Sequence, residues 1–431
     1  MPLDEITRER EKAERRVELE SLKPISHEQF VIGVKEHLLI VDENILKLLP
    51  ALIIANRFKG RDAIWAMLIG PSGGGKTELL NMILDLEEVY LISTLTPQTF
   101  LSGMPGKKDT SLLPLLNGKI MIFKDWTSIM SMRWESKNEM YGQFREVYDG
   151  KATKNFGNGI TRTWEGKVGL IAGVTPAYDI LQQTQATLGE RFINYRLVMP
   201  DRELVAYKAF DNAAHIIQTR KALANLSYAY MKGVKMPETE PALPEGFRET
   251  IVPITNFATM ARSGVIRELS NKREVIYVPA PEMPTRSVQV FSAVATALQV
   301  MGVEIGDIIY RIALDSIPDT NYMVIKVMAR GKEQTTKDIA TELGYPTPPI
   351  RTYLENLALL GVCKRIKAED SVEGGTADKW TLNNRFNDIV HTYEKIKRID
   401  EIKIAEQEKI IDKALDARKF EGMEETTNEL F

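Results

Sequence analysis

The stretch GPSGGGKT, residues 70–77, has the spacing G-x-x-x-x-G-K-T. Its flexible positions, Gly70, Ser72, Gly73, Gly74 and Gly75, let successive backbone N–H groups close around phosphate oxygens at a helix N-terminus. Lys76 then reaches the β- and γ-phosphates, and the Thr77 hydroxyl ligates Mg²⁺. The context agrees. The apolar run AIWAMLIG (63–70) precedes the loop, and ELLNMILDL (78–86) continues as a helix. Such a chain is expected to bind a nucleoside triphosphate.

Hydrolysis also needs a carboxylate at the end of a neighbouring strand, for the metal and the attacking water. KIMIFKDW (119–126) offers Asp125, although not within the common Asp-Glu pair. Two arrangements stay open. Either Asp125 is the metal-side acid and Trp126 stands where a catalytic glutamate belongs, or Asp125 polarises the water and Lys124 replaces the metal-side acid. Glu146, in FREVYDG, is a candidate second acid and reads equally well as an exposed helical glutamate. Thr175 ends the buried run VGLIAGVTP (168–176). Arg191 follows a glycine in LGERFINYRL (188–197). Arg286 opens the helical run MPTRSVQVFSAVATAL (283–298), with Thr285 as its expected N-cap. A helix dipole disfavours a cation in the first turn, so Arg286 asks for an anion there.

Between these parts, residues 148–167 (YDGKATKNFGNGITRTWEGK) read as a β-hairpin turning on Asn158-Gly159. A two-residue turn pairs Phe156 with Thr161 and Lys154 with Thr163, leaving Asn155 and Arg162 on the other face. Lys154 and Arg162 suit phosphates, and Phe156 or Trp164 suits either a stacked base or the packing of the hairpin onto its own domain.

This order of parts resembles the AAA+ ATPases over roughly residues 40–310. More narrowly it resembles the branch with a hairpin before the sensor-one strand, which includes the minichromosome-maintenance and viral superfamily-three helicases. GERF (189–192) and PTRSVQVF (284–291) are similar to segments of the first group. FKDWT, with the module downstream, looks like ATPases of phages, plasmids and integrative elements. The resemblance implies an α/β AAA+ core with a mostly parallel sheet, a helical lid, ATP and Mg²⁺ as cofactors, and a homo-oligomeric ring, a hexamer. It implies Arg191 as a finger acting in trans, Thr175 as sensor one and Arg286 as sensor two. It further implies a hairpin gripping single-stranded DNA in a central channel, and a DNA helicase serving replication of a mobile element.

The organisation that positions these residues reads as a helical tether (1–24), an ATPase core (25–200), a helical lid (201–318), a winged helix-turn-helix (319–385), and a C-terminal helix with an acidic tail (386–431). Strands are expected at 64–69, 89–94, 119–123 and 168–173, and none between Pro200 and the winged module. In that module, Thr335 and Asp338 form a capping-box pattern and Thr347 is the expected cap of the third helix. That helix exposes Arg351 and Thr352 to duplex DNA, beside a wing at Gly374-Gly375.

Composition bounds the rest. Across 431 residues, 56 Lys and Arg nearly balance 59 Asp and Glu, so any basic surface is local. A single cysteine, Cys363, excludes a disulfide framework and a cysteine zinc site. The charged N-terminal stretch lacks a signal region, and the longest uncharged run is too short and polar to span a bilayer, so a cytoplasmic protein without membrane contact is expected. Two rival functions fit the same parts. One is an ATP-switched DNA-binding initiator. The other is a protein remodeller using PQTFLSGMPGKK (97–108) as a pore loop.

Overall fold

The computed structural model describes residues 3–104, 109–180, 191–268, 274–368 and 377–399, with 401–402, 404–406 and 408–409 beyond them. Its centre is a sheet of five parallel strands. These are β1 (Trp65–Ile69), β2 (Val89–Leu91), β3 (Ile120–Phe123), β6 (Gly169–Val174) and β7 (Phe192–Arg196), in the order β2-β3-β6-β1-β7. The hairpin strands β4 (Lys151–Asn155) and β5 (Thr161–Glu165) stand outside it. A parallel sheet is covered on both faces, so its strands are apolar throughout, as in WAMLI and IMIF.

Alternate residues feed two cores. Ala66, Leu68, Ile122, Ile171 and Tyr195 pack with helices Asn44–Arg57 and Thr285–Val300. Trp65, Met67, Phe123 and Ala172 join an aromatic cluster with Trp126 and with Phe144 and Tyr148 of helix Trp134–Tyr148.

Several expectations need correction. The strand at 89–94 shortens to Val89–Leu91, although Ile92 N–H still donates to the Ile122 carbonyl at 2.9 Å. The helix after the glycine loop ends at Asn81. Tighter i→i+3 turns follow, and they keep Met82, Ile83 and Leu86 buried. A short exposed hairpin, β8 (Ile266–Arg267) with β9 (Val275–Tyr277), interrupts the helices after Pro200. Strands of two and three residues leave no readable alternation. Helix Leu3–Ser21 is no loose tether, because Arg15 pairs with Asp85 at 2.7 Å, Arg16 with Glu87 at 2.5 Å, and Leu19 is buried.

Beyond residue 318, helices Asp319–Met328, Thr336–Leu343 and Thr347–Leu359 pack on an antiparallel sheet ordered β10-β12-β11. Its strands are Gln334–Thr335, Lys379–Leu382 and Cys363–Ile366 for β10, β12 and β11. The capping box of Thr335 and Asp338 forms, and Gly344 ends that helix at φ 68°. Thr347 and Thr285 are not caps. Each is the first helical residue, and the proline before it takes the cap position, having no N–H to satisfy. Cys363 is buried, its thiol pushed up to about 12 by burial, which suits packing. Helix 387–399 docks back, Tyr393 donating to Asp315 at 2.6 Å and Tyr322 to Glu394 at 2.6 Å. Gly374-Gly375 and the acidic tail lie outside the described residues. Among the described residues, no helix is long and apolar enough to cross a membrane.

Candidate nucleotide site

Because β6 lies between β1 and β3, the segments leaving these three strands emerge side by side at their carboxyl ends, where open α/β sheets bind ligands. Two backbone bonds tie them together. Gly70 N–H donates to the Val174 carbonyl at 3.1 Å, and Trp126 N–H donates to the Gly173 carbonyl at 2.9 Å. Gly70–Thr77, Asp125 and Thr175 therefore share one edge. Gly173 permits the closeness, since a Cβ there would stand 2.8 Å from the Lys124 carbonyl oxygen. Gly173→Ala is expected to push the Asp125 segment away from the loop and, if the chain hydrolyses ATP as its glycine loop leads one to expect, to lower turnover by about tenfold or more with the protein still folded. Wild-type turnover in a folded Gly173→Ala variant would show that this spacing is immaterial.

Within the loop, Gly73 and Gly75 have φ of 77° and 76°, the left-handed region that glycine alone enters freely. A Cβ at Gly74 would meet Met199 Cε at 2.9 Å and the Pro71 carbonyl oxygen at 3.0 Å. Lys76 is buried, and its ammonium donates to the carbonyls of Gly70 and Pro71, both at 2.7 Å. Burial lowers its pKa, and the nearby Asp125 carboxylate opposes that shift. Asp125 is exposed, accepts from Thr127 N–H at 2.9 Å, and lies near enough to Lys76 for its charge to act on that ammonium. Thr77 and Ser72 are exposed and Thr175 is half-buried. A hydroxyl and a carboxylate are hard oxygen donors of the kind Mg²⁺ takes alongside phosphate and water.

Both arrangements left open for Asp125 place it at the loop, and neither of its neighbours takes that place. Trp126 is 1% exposed and packs edge-on against Phe123 and Phe192 and tilted against Phe144, so its position faces the core and not the loop. The Lys124 charge acts on Glu78, whereas Asp125 acts on Lys76. Asp125 is thus the strand-end carboxylate that meets the loop.

Beside the glycines lies a mostly apolar cavity of about 240 Å³, lined by Ile40, Val41, Leu197, Met199, Val205 and Asn212 among others. Its walls come from the segment after helix His27–His37 and from helix Arg202–Ala213. Asn212 donates to the His37 carbonyl at 2.8 Å and Lys208 to the Glu36 carbonyl at 2.7 Å, which clamps these two walls. Arg220 pairs with Glu78 at 2.6 Å and lowers its pKa, tying helix Ile216–Gly233 to the loop's helix. Sequence reasoning missed this cavity. The one signal was LLIVD (38–42), an apolar run between two helices.

Arg191 and Arg286 do not line the cavity. They converge elsewhere, on the ring of Tyr148, with guanidinium carbons 5.3 and 5.7 Å from its centroid. Arg191 also pairs with Asp149 and Arg286 with Glu282, each at 3.4 Å. Gly189 and Glu190, beside Arg191, lie outside the described residues. Glu146 needs correction as a second acid at the loop. It is exposed and lines a cleft with Glu139, Gln143 and Lys154 under the hairpin, and no residue of the glycine loop lines that cleft.

The hairpin forms, but one residue out of the expected register. Lys154 faces Arg162 and Asn155 faces Thr161. Gly159 N–H donates to the Phe156 carbonyl at 3.0 Å and adopts φ 80°, so the loop is Gly157-Asn158-Gly159, a turn followed by a left-handed glycine. Burial of Trp164 and Ala152 on one face selects this register, because the two-residue turn would put them on opposite faces. Lys154, Phe156 and Arg162 consequently turn inward. Lys154 donates to the Pro97 carbonyl at 2.9 Å and pairs with Glu139 at 3.1 Å. Arg162 lies 3.7 Å from Asp109, and Phe156 packs on Gly103. Asn158 donates to the Gly103 carbonyl at 2.7 Å. The outward face carries Lys151, Thr153, Asn155, Thr161, Thr163 and Glu165.

On the third C-terminal helix, Arg351 is 59% exposed in its side chain, with Glu355 at 3.5 Å. Thr352 is half-buried and its hydroxyl donates to the Pro348 carbonyl at 3.2 Å, so Arg351 is the more accessible of the pair. No protein-family model matches this chain, and no curated protein matches it.

Proposed function

We infer that the chain is a Mg²⁺-dependent ATP hydrolase of the AAA+ type that acts on DNA as a ring-forming helicase or translocase. The observation that carries this reading is the shared edge of three adjacent parallel strands, with the glycine loop, Asp125 and Thr175 beside one apolar cavity. The strand order, with β6 between the loop strand and the carboxylate strand, supports it. The base occupies the cavity and the triphosphate lies on Gly73–Gly75. Lys76 would exchange the Gly70 and Pro71 carbonyls for phosphate oxygens, Thr77 and Asp125 would hold a Mg²⁺ ion that screens phosphate charge, and Asp125 with Thr175 would orient the attacking water. Arg191 and Arg286, away from their own cavity, serve the nucleotide of the next subunit, where cations stabilise transferring phosphate charge.

DNA enters the reading through two elements. The C-terminal module is read as a winged helix with Arg351 toward the duplex. The hairpin is read as the element that meets the strand. The hexameric count and the role in replicating a mobile element rest on the resemblance alone.

One finding favours a second reading, an ATP-switched DNA-binding initiator. Two of the hairpin's cations, Lys154 and Arg162, are engaged with Pro97, Glu139 and Asp109 rather than pointing outward. Steady-state ATP hydrolysis with and without single-stranded DNA separates the two, in wild type and in Lys154→Ala. The translocase reading expects several-fold stimulation by DNA, reduced in Lys154→Ala because the hairpin loses its anchor. Absence of stimulation, together with duplex binding that depends on Arg351, supports the switch.

A further inference from the structure

Tyr148 ends helix Trp134–Tyr148, and nothing in the motif pattern singles it out. Its ring is 5% exposed and meets Trp65 edge-on at 5.1 Å. Its hydroxyl is buried without a hydrogen-bond partner among the described residues. The ring, not the hydroxyl, is therefore what this position uses. Two guanidiniums lie against it, from separate parts of the chain: Arg191 from the start of β7 and Arg286 from the first turn of helix Thr285–Val300.

Two cations this close repel, and Arg286 lowers the Arg191 pKa in addition to the larger effect of burial. Asp149 and Glu282, at 3.4 Å, are farther than the 2.7–2.9 Å of a strong charge-assisted hydrogen bond. An aromatic face attracts guanidinium without a counter-charge, so it can gather two cations side by side. Arg191 is 9% exposed in its side chain and Arg286 33%. Arg286 is the more exposed member of the pair.

We propose that Tyr148 is a positioning residue whose ring holds Arg191 and Arg286 as a pair for the γ-phosphate bound by a neighbouring copy of this chain. Asp149 and Glu282 hold the pair until that phosphate replaces them. This rests on reading both arginines as acting in trans.

The test mixes variant subunits. Tyr148→Leu is expected to lower kcat by about tenfold or more, with nucleotide affinity at its own loop unchanged. Tyr148→Phe, which keeps the ring, rescues the loss. Tyr148→Leu subunits have an intact loop but a displaced arginine pair, and Lys76→Ala subunits the reverse. Their mixture is expected to hydrolyse ATP faster than the two separate preparations summed, as is a mixture of Arg191→Ala with Lys76→Ala. Recovery with Arg191→Ala but not with Tyr148→Leu overturns the role of Tyr148 alone. Recovery with neither overturns the trans reading and this proposal with it. Loss of activity in Tyr148→Phe equal to that in Tyr148→Leu assigns the effect to the hydroxyl and likewise overturns it.

Discussion

Replacing Lys76 with alanine is expected to reduce ATP turnover by about a hundredfold or more, the scale seen when one charge-stabilising group leaves a preorganised site. The argument starts from where the ammonium waits. It is buried between the Gly70 and Pro71 carbonyls, which keep it inside the ring of backbone N–H groups that a phosphate would enter. Burial disfavours its charge, and the Asp125 carboxylate partly restores it. A triphosphate supplies far more negative charge than two carbonyl dipoles, so the ammonium exchanges partners on binding. Lys76→Arg is expected to fail as well, because a planar fork does not fit a pocket made for a point charge. Initial rates with matched unfolding curves check the claim. A folded Lys76→Ala protein with turnover near wild type would show that the glycine loop is not the hydrolytic site.

The second large effect concerns stability. Arg311→Ala is expected to cost about 3–5 kcal/mol, the range for breaking a buried ion pair by removing one partner. Arg311 is 1% exposed on helix Gly306–Leu314 and sits between two buried carboxylates. It reaches Asp42 at 3.2 Å, the Arg196 carbonyl at 3.0 Å and Asp315 at 3.6 Å. Tyr195 donates to Asp42 and Tyr393 to Asp315, both at 2.6 Å. Arg196 extends the cluster to Asp179 through two bonds of 3.0 and 2.9 Å. Without the guanidinium, Asp42 and Asp315 remain buried without this counter-charge. Because Asp42 also lines the cavity beside the glycine loop, the proposed ATP affinity should fall with stability. Adding Asp42→Asn to Arg311→Met should return part of the loss, since it removes one stranded charge. Denaturant midpoints of the singles and the double test this. A single-variant loss under about 1 kcal/mol would mean that water reaches the cluster and screens it.

Much of the site was legible because its signals are local. The glycine spacing, the strand before it, the polar residue at the end of β6 and Asp125 after β3 each depend on a few neighbouring residues, and all four stand where their motifs put them. The same holds for the capping box at Thr335 and for Gly344, where a side chain meets the backbone three residues away or a φ excludes other residues. The hairpin marks the limit. Its turn residues were right, yet two turn lengths suit Gly-Asn-Gly almost equally, and the choice fell to the packing of Trp164 and to loop 97–109 receiving Lys154 and Arg162. A shift of one residue reverses every side chain of a strand, so that distant choice turned the expected contact face inward. Glu146 faces the hairpin cleft and Trp126 the aromatic core for the same kind of reason. Tyr148 between two arginines, and Arg311 between the buried carboxylates of Asp42 and Asp315, carry no sequence signature at all. The sequence by itself determined which residues stand together at the ends of β1, β3 and β6, because those signals are written in short spacings. The tertiary structure alone decided which charges meet, because those partners lie tens to hundreds of residues apart and are brought together only by burial.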